Sequence, residues 1–166
     1  MALLDTLKSS ELFGGLETGH LKKVGDWCRG SSYREGEMVF KEGDEAKEIY
    51  VLVSGRVALE MEVRPVPSRP GIPTAVEVVT EGETLGWSAL VEPYVYTLSA
   101  RCMSNCTVLA INGDMLRKVM ADDVGLGYGL MKRLTKIVSL RLAHTRLRLT
   151  SGLGLVLLGK ELGATE

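Results

Sequence analysis

The hydrophobic period of the chain changes twice along its length. Leu21 and Val24 lie three residues apart in the N-terminal segment, a spacing that predicts short helices. From Tyr33 to Ile111, short apolar runs are separated by glycine-containing turns, which is typical of β-strands. After Ile111 the apolar residues return to helical spacing. The pattern therefore predicts N-terminal helices, then a β portion, then C-terminal helices.

The β portion contains several predicted strands joined by short turns. Residues 49–53 are apolar and β-branched, residues 57–63 alternate, and Ser54-Gly55 between them is predicted to be a two-residue hairpin turn. Four prolines follow in one loop, at Pro65, Pro67, Pro70 and Pro73. Because proline lacks a backbone N–H, we expect this segment to lie outside a sheet. Many short strands with regular turns predict a sandwich or barrel.

Two helices are predicted after the β portion. Asn112 is suited to cap the first, and Asp122 or Asp123 the second. The second helix is predicted over about residues 124–149, roughly 39 Å at 1.5 Å per residue. Its predicted apolar stripe consists of Leu130, Leu134, Ile137, Val138 and Leu142. Residues 151–166 contain four glycines, so this tail is predicted either to be disordered or to add one short helix.

Composition narrows the class of protein. A chain of 166 residues suits one domain with an appendage. The 20 Lys and Arg nearly balance the 21 Asp and Glu, and the net charge of -1 argues against a strongly basic nucleic-acid-binding domain. The N-terminus lacks the charge and apolar pattern of a signal peptide. No stretch approaches the roughly 18 apolar residues of a membrane span, so we expect a cytoplasmic protein without membrane attachment.

The chain contains few residues of the types that form catalytic or metal sites. Cys28, Cys102 and Cys106 form an odd set that suits a reducing cytosol, and we interpret them as buried structural thiols. A metal site would need further ligands, but His20 and His144 are the only histidines and lie far away in sequence. No nucleophile has a nearby base, and no pair of acids shares a face. We therefore expect no catalytic site, no metal and no cofactor.

The β portion carries a series of glycine-spaced motifs. They are Y-x-x-G-E from Tyr33, V-F-x-E-G-D from Val39, Y-V-L-V-S-G-R-V from Tyr50 and E-G-E-T-L-G-W-S-A-L from Glu81. The series resembles the cyclic nucleotide-binding domain, as in the catabolite activator protein and its relatives. The resemblance implies an α+β, mainly β fold: a double-stranded β-helix, or jelly-roll β-roll, flanked by N-terminal helices and a long C-terminal helix. The domain would span residues 1–150, with the β-roll at about 30–111 and the C-terminal helices at about 112–150.

The resemblance also implies a ligand site. In this family a short helix begins directly after a glycine, and its free N–H groups face the cyclic phosphate. This phosphate-binding cassette would lie at residues 86–90, together with the start of the next strand. The ligand-binding residues implied are Gly86, Trp87, Ser88, Ala89, Leu90, Val95, Tyr96, Thr97 and Leu98.

Two side chains of the family's cassette are absent. The family has a glutamate after the glycine, which accepts from the ribose 2′-hydroxyl, where this chain has Trp87. The arginine that pairs with the phosphate falls at Val95 or Tyr96, and the nearest arginine, Arg101, lies farther along the strand. Because one charged hydrogen bond is worth about 1.5–3 kcal/mol, we expect cyclic AMP or cyclic GMP to bind weakly.

Two functional hypotheses follow, from different classes. The first is a small-molecule-sensing regulatory domain of signal transduction, of cyclic nucleotide-binding type with a degenerate cassette. The second is a ligand-free dimeric scaffold, or protein-interaction module, on the same fold. The implied partners are a small-molecule ligand and a second copy of the chain, bound through the long C-terminal helix. Only about 17 residues follow Leu149 and none resembles a recognition helix, so we expect no DNA-binding domain.

Overall fold

The computed structural model describes residues 3–64 and 70–163, with side chains described up to residue 151. The helices are α1 (Leu3–Ser9), α2 (Thr18–Gly25), α3 (Gly113–Asp122) and α4 (Val124–Gly163). The strands are β1 (Cys28–Tyr33), β2 (Met38–Phe40), β3 (Glu48–Ser54), β4 (Val57–Val63), β5 (Ile72–Val79), β6 (Thr84–Leu85), β7 (Ser99–Cys102) and β8 (Cys106–Asn112). One turn of 3-10 helix, Trp87–Leu90, follows β6 and is called the cassette turn below.

The strands form two antiparallel four-stranded sheets. One has the order β1-β8-β3-β6 and the other the order β2-β7-β4-β5. Both sheets contribute to one buried apolar cluster, for example through Leu52 of β3 and Leu59 of β4. Leu7 of α1 and Leu130 of α4 belong to the same cluster, so helices cover the β-roll at both ends of the sequence. The predicted jelly-roll β-roll with flanking helices is confirmed.

The connection between β3 and β4 differs from the prediction. These strands do not pair with each other, because β3 pairs with β6 and β8 whereas β4 pairs with β5 and β7. Gly55 has a φ of 96°, and a Cβ at this position would lie 2.5 Å from the carbonyl oxygen of Asn105. The predicted hairpin turn is therefore wrong: the turn packs against the connection between β7 and β8 and carries the chain from one sheet to the other.

The proline-rich loop also ends earlier than predicted. Pro73 lies within β5, opposite Glu62 of β4. Its missing N–H is tolerated because β5 is at the edge of its sheet. Pro65 and Pro67 lie outside the described residues.

The two C-terminal helices begin at the predicted caps. Oδ1 of Asn112 accepts a hydrogen bond from the N–H of Met115 at 2.9 Å. Oδ1 of Asp123 accepts one from the N–H of Leu126 at 3.1 Å. Each carboxyl or amide oxygen satisfies a donor that would otherwise lack a partner in the first helical turn.

Helix α4 is longer than predicted and its apolar stripe is divided. Leu130, Leu134 and Ile137 are buried against the β-roll, whereas Val138 and Leu142 are exposed. The helix continues to Gly163, although each of the four tail glycines costs about 1 kcal/mol in a helix. The division of the chain near residue 150 stays a prediction. Among the described residues, no helix is both long enough and apolar enough to cross a bilayer.

Candidate functional site

The cassette turn begins at a glycine in the left-handed region. Gly86 has φ 77° and ψ 23°, directly after the short strand β6. Its carbonyl accepts from the N–H of Ala89 at 3.1 Å, which starts the turn. Hydrogen bonds in a 3-10 helix run back three residues, so the N–H groups of Trp87 and Ser88 have no acceptor inside the turn. The backbone of the predicted cassette is thus present as a short helical turn after a glycine.

A small cavity of about 40 Å³ lies beside the cassette turn. It is lined by Phe40, Leu59, Gly86, Trp87, Ser88, Tyr96, Thr97, Leu98 and Arg141. One water molecule needs roughly 10–15 Å³ measured in this way, so the space has room for about three. An apolar cavity of about 150 Å³ holds a benzene molecule. The space beside the cassette turn is therefore much smaller than a complete cyclic nucleotide.

The structure brings most of the predicted site residues together at this cavity. Gly86, Trp87 and Ser88 line it from the cassette turn, and residues 96–98 line it from the segment before β7. The others do not line it. Ala89 and Leu90 are buried in the core, and Val95 pairs with Glu45 in an isolated β-bridge.

Aromatic rings fill the place that the resemblance gives to an arginine. Tyr96 is stacked on Phe40 with ring centroids 3.9 Å apart, and Phe40 is stacked in turn on Tyr50 at 5.7 Å. The hydroxyl of Tyr96 donates to the carbonyl oxygen of Glu48 at 2.7 Å. Burial raises the pKa of Tyr96, so its hydroxyl stays protonated. The part of the described lining that comes from Tyr96, Thr97 and Leu98 therefore carries no cation.

The cation at the cavity comes from α4. Arg141 is only 9% exposed, and its guanidinium lies over the ring of Trp87, 4.4 Å from the ring centroid. Its Nη2 donates to Oε1 of Glu11 at 3.1 Å and to the carbonyl oxygen of Thr84 at 2.8 Å. Its Nε lies 3.2 Å from Oε1 of Glu77. This arginine joins the N-terminal segment, β5, β6 and the cassette turn to the long helix.

Two carboxylates share this one guanidinium. Burial raises the pKa of Glu11, although a hydrogen bond from the N–H of Thr84 and the charge of Arg141 act in the opposite direction. Burial also raises the pKa of Glu77, and Arg141 again opposes the shift. The charge of Arg141 thus stabilises the ionised form of both carboxylates, but less than their loss of hydration destabilises it.

Arg101, the arginine nearest to the cassette in sequence, has another role. Its Nε donates to Oε2 of Glu60 at 3.1 Å and its Nη1 donates to the carbonyl oxygen of Gly36 at 3.2 Å. It is not among the residues that line the cavity. A different arginine, Arg117 of α3, donates to the carbonyl oxygen of Ala89 and lies 4.0 Å from the ring centroid of Tyr94. Arg117 therefore ties α3 to the end of the cassette turn.

Sequence reasoning missed three residues that line the cavity: Phe40, Leu59 and Arg141. The two apolar residues look like ordinary core positions. Arg141 has a detectable signal, because it follows Leu134 and Ile137 at the spacing of seven and four that continues the buried face of α4. An arginine in phase with a buried stripe indicates a partner inside the fold. Across the part of the chain that the structure describes, no three metal-ligating side chains converge.

A jelly-roll β-roll with a cassette turn and a long C-terminal helix defines a regulatory domain of the cyclic nucleotide-binding type. The sequence profile of the cyclic nucleotide-binding domain matches residues 31–123, more than half of the chain. The chain therefore belongs to the cyclic nucleotide-binding domain family. No curated protein sequence matches it.

Solved structures agree with this assignment. A protein from Geobacter metallireducens GS-15, named for cyclic nucleotide binding, is 30% identical, with 86% of this chain and 99% of that one covered and a TM-score of 0.72. The catabolite activator protein of Thermus thermophilus is 22% identical and shares the fold, with a TM-score of 0.67 over 86% of this chain and 63% of that chain. The regulatory domain of Toxoplasma gondii PKA, solved with cAMP, is 22% identical, with a TM-score of 0.62 over 70% of this chain and 42% of that chain.

Proposed function

We propose that the chain is a small-molecule-sensing regulatory domain whose cassette binds a cyclic nucleotide weakly and without catalysis. The observation that carries this proposal is the family match over residues 31–123, which includes the cassette turn. The cavity beside the turn is lined by the residues that the resemblance implies, from Gly86 and from the segment at Tyr96. A ligand there would touch the cassette turn, the sheet that contains Phe40 and Leu59, and α4, and would shift the balance between two arrangements of the helix.

Weak binding follows from two features of the site. Trp87 stands where the family places its glutamate, and Val95 or Tyr96 stands where the family places its arginine, so two charged contacts are lost. The cavity of about 40 Å³ also has to open before a nucleotide enters. When only a fraction of the molecules is open, the apparent affinity falls by that fraction.

Titration with cyclic AMP and cyclic GMP tests the proposal directly. Trp87 is a built-in reporter, and replacing Trp27 by phenylalanine leaves it as the single tryptophan of the chain. We expect a change in Trp87 fluorescence that saturates at ligand concentrations well above micromolar, with calorimetry giving the same affinity. 5′-AMP, which lacks the cyclic phosphate, is the control ligand. Sub-micromolar affinity would contradict the weak cassette, and no response to either cyclic nucleotide would favour the ligand-free scaffold.

We further propose that the partner is a second copy of the chain. The exposed side of α4 carries a second series of mostly apolar residues, called the outer stripe. It consists of Val124, Tyr128, Met131, Thr135, Val138, Leu142, Thr145 and Leu149, of which Met131 is half-buried against the core. The steps along it alternate between four and three residues, which is the heptad spacing of a coiled-coil seam. Two such stripes in contact would remove their apolar surface from water.

A cytoplasmic location is also proposed. Cys28, Cys102 and Cys106 are all free thiols, and the latter two are buried. The thiol of Cys106 donates to the carbonyl oxygens of Arg56 and Ser104, each at 3.2 Å. Thiols used as packing and hydrogen-bonding groups suit a reducing compartment.

A further inference from the structure

We propose that Arg141, reaching into the cavity from α4, supplies the positive charge that pairs with an oxyanion group of the ligand. This inference rests on the proposed function and specifies its ligand as an anion. It assigns the role of the absent cassette arginine to a residue on a different element, more than forty positions farther along the chain.

The hydrogen bonds of Arg141 leave one side of the guanidinium available. Nη2 and Nε face Glu11, Glu77 and the carbonyl oxygen of Thr84. Nη1 is buried and has no hydrogen-bond partner among the described residues. Buried donors of this kind are rarely left without an acceptor, because their hydration is lost and nothing replaces it. An oxyanion that enters when the cavity opens would provide that acceptor.

The position of Arg141 makes this acceptor part of the ligand site. Arg141 lines the same cavity as Gly86, Trp87 and Ser88, and it is the one charged residue in the described lining. The ring of Trp87 lies under the guanidinium plane and the two carboxylates fix its edge, so the guanidinium is oriented before a ligand arrives. The remaining lining is apolar or carries hydroxyl groups, which favours a phosphate joined to a less polar body.

The carboxylates also set a limit on anion binding. Glu11 and Glu77 both contact Arg141 and Glu83 adds a third negative charge nearby, although Arg148 offsets part of the charge of Glu77. An anion at Arg141 is therefore opposed by like charges, and removing one of them tightens its binding. If Arg141 has only a structural role, removing Glu77 is expected to weaken anion binding, since its loss would only make the position of the guanidinium less well fixed.

The test compares three variants in the Trp27→Phe background, with inorganic phosphate, cyclic AMP and uncharged adenosine as probes. Arg141→Gln is expected to weaken the binding of phosphate and cyclic AMP about 10- to 100-fold, which is the loss of one charged hydrogen bond. Adenosine binding is expected to stay unchanged. Glu77→Gln is expected to tighten the binding of both anions. The control is Arg146→Gln, because Arg146 also lies on α4 but is exposed, does not line the cavity and is not among the charges that act on Glu77.

The outcomes separate this inference from the proposed function. Cyclic AMP binding that is equal or tighter in Arg141→Gln overturns the inference and leaves the proposed function in place. Phosphate binding that needs Arg141, without any cyclic nucleotide binding, supports the inference and overturns the proposed function. A wild-type protein that binds neither anion overturns both. If Arg141→Gln does not fold, weaker anion binding by Glu77→Gln overturns the inference on its own.

Discussion

Gly86 shows how a single residue sets the geometry of the cavity. A Cβ at this position would lie 3.1 Å from the carbonyl oxygen of Glu48, 3.2 Å from Cδ2 of Tyr50 and 3.3 Å from Cε1 of Tyr96. The same residue has a positive φ of 77°. A side chain here would be strained by its backbone and would also crowd β3 and the aromatic stack, so the cassette turn can approach the sheet this closely only at glycine.

Replacing Gly86 by alanine separates these two effects when it is compared with Gly36→Ala. Gly36 also has a positive φ, of 84°, but nothing lies within 4 Å of a Cβ built there. We expect Gly36→Ala to cost about 1 kcal/mol of unfolding free energy, from the backbone alone. Gly86→Ala is expected to cost at least about 1 kcal/mol more, because its neighbours must move. Urea unfolding measures both, and equal losses would contradict the crowding.

The charge of Glu77 gives the protein a specific pH dependence. Burial raises the pKa of Glu77 in the folded state. The folded protein therefore binds this proton more tightly, and the resulting stabilisation is complete below the unfolded pKa of about 4.3 and is lost as the pH rises through the folded pKa. We expect Glu77→Gln to gain stability relative to the parent as the pH rises from 4. Thermal unfolding in a His144→Asn background measures the difference without the nearby imidazole.

Glu81→Gln provides the control for this measurement. Glu81 lies on the exposed turn after β5, outside the contacts of Arg141. Its stability difference from the parent should change less with pH than that of Glu77→Gln. A Glu77→Gln difference that is flat between pH 4 and pH 8 would show that burial does not control this carboxyl.

At the scale of elements, helix α4 has one face packed against the β-roll and another face that carries the outer stripe. Ile137 faces the β-roll and is 6% exposed, whereas Val138, the next residue, is 41% exposed in the outer stripe. Successive residues of a helix point about 100° apart, so neighbouring positions can belong to different interfaces. The β-roll contact and the proposed contact with a second copy can therefore be altered separately.

Aspartate substitutions at three consecutive positions test this division. Ile137→Asp would bury a charge against the β-roll, at a cost of several kcal/mol, and is expected to unfold the protein or detach α4. Val138→Asp is expected to keep the fold and give a monomer. Ser139→Asp, on an exposed position outside the stripe, should leave both unchanged. Light scattering and circular dichroism measure mass and fold. A wild-type monomer at tens of micromolar, or a dimeric Val138→Asp, would overturn the proposed dimer.

At the scale of the whole molecule, local signals predicted most of the fold. Turn glycines, the caps at Asn112 and Asp123 and the two changes in hydrophobic period were sufficient for the order of helices, β portion and helices, whereas the jelly-roll arrangement of the strands followed from the family resemblance. The predicted hairpin at Ser54-Gly55 was wrong, because a short glycine turn has the same local sequence whether it closes a hairpin or crosses between sheets. A turn is local, but the choice of partner strand depends on the packing of the entire β-roll.

The candidate site was predicted only in part, for a similar reason. The cassette turn is one continuous segment, so its residues could be found together. The Arg141 interactions join Glu11, Glu77 and Trp87, which are distant from each other in sequence. The spacing of Arg141 from Leu134 and Ile137 indicates that this arginine is buried, but the sequence does not show which distant residues it contacts.

The strand order also determines when this chain can fold during its synthesis. Strand β8 lies between β1 and β3, pairing Cys28 with Ile111 and Ile49 with Ile111 from opposite sides. Until Cys106–Asn112 has left the ribosome, at about 5–20 residues per second, β1 and β3 lack the strand that pairs with both of them in the folded sheet, so these hydrogen-bonding edges are open. Open edges are sites of aggregation. Nascent chains that stall before Cys106 are therefore expected to depend on chaperones, whereas chains that have released β8 close the first sheet at once.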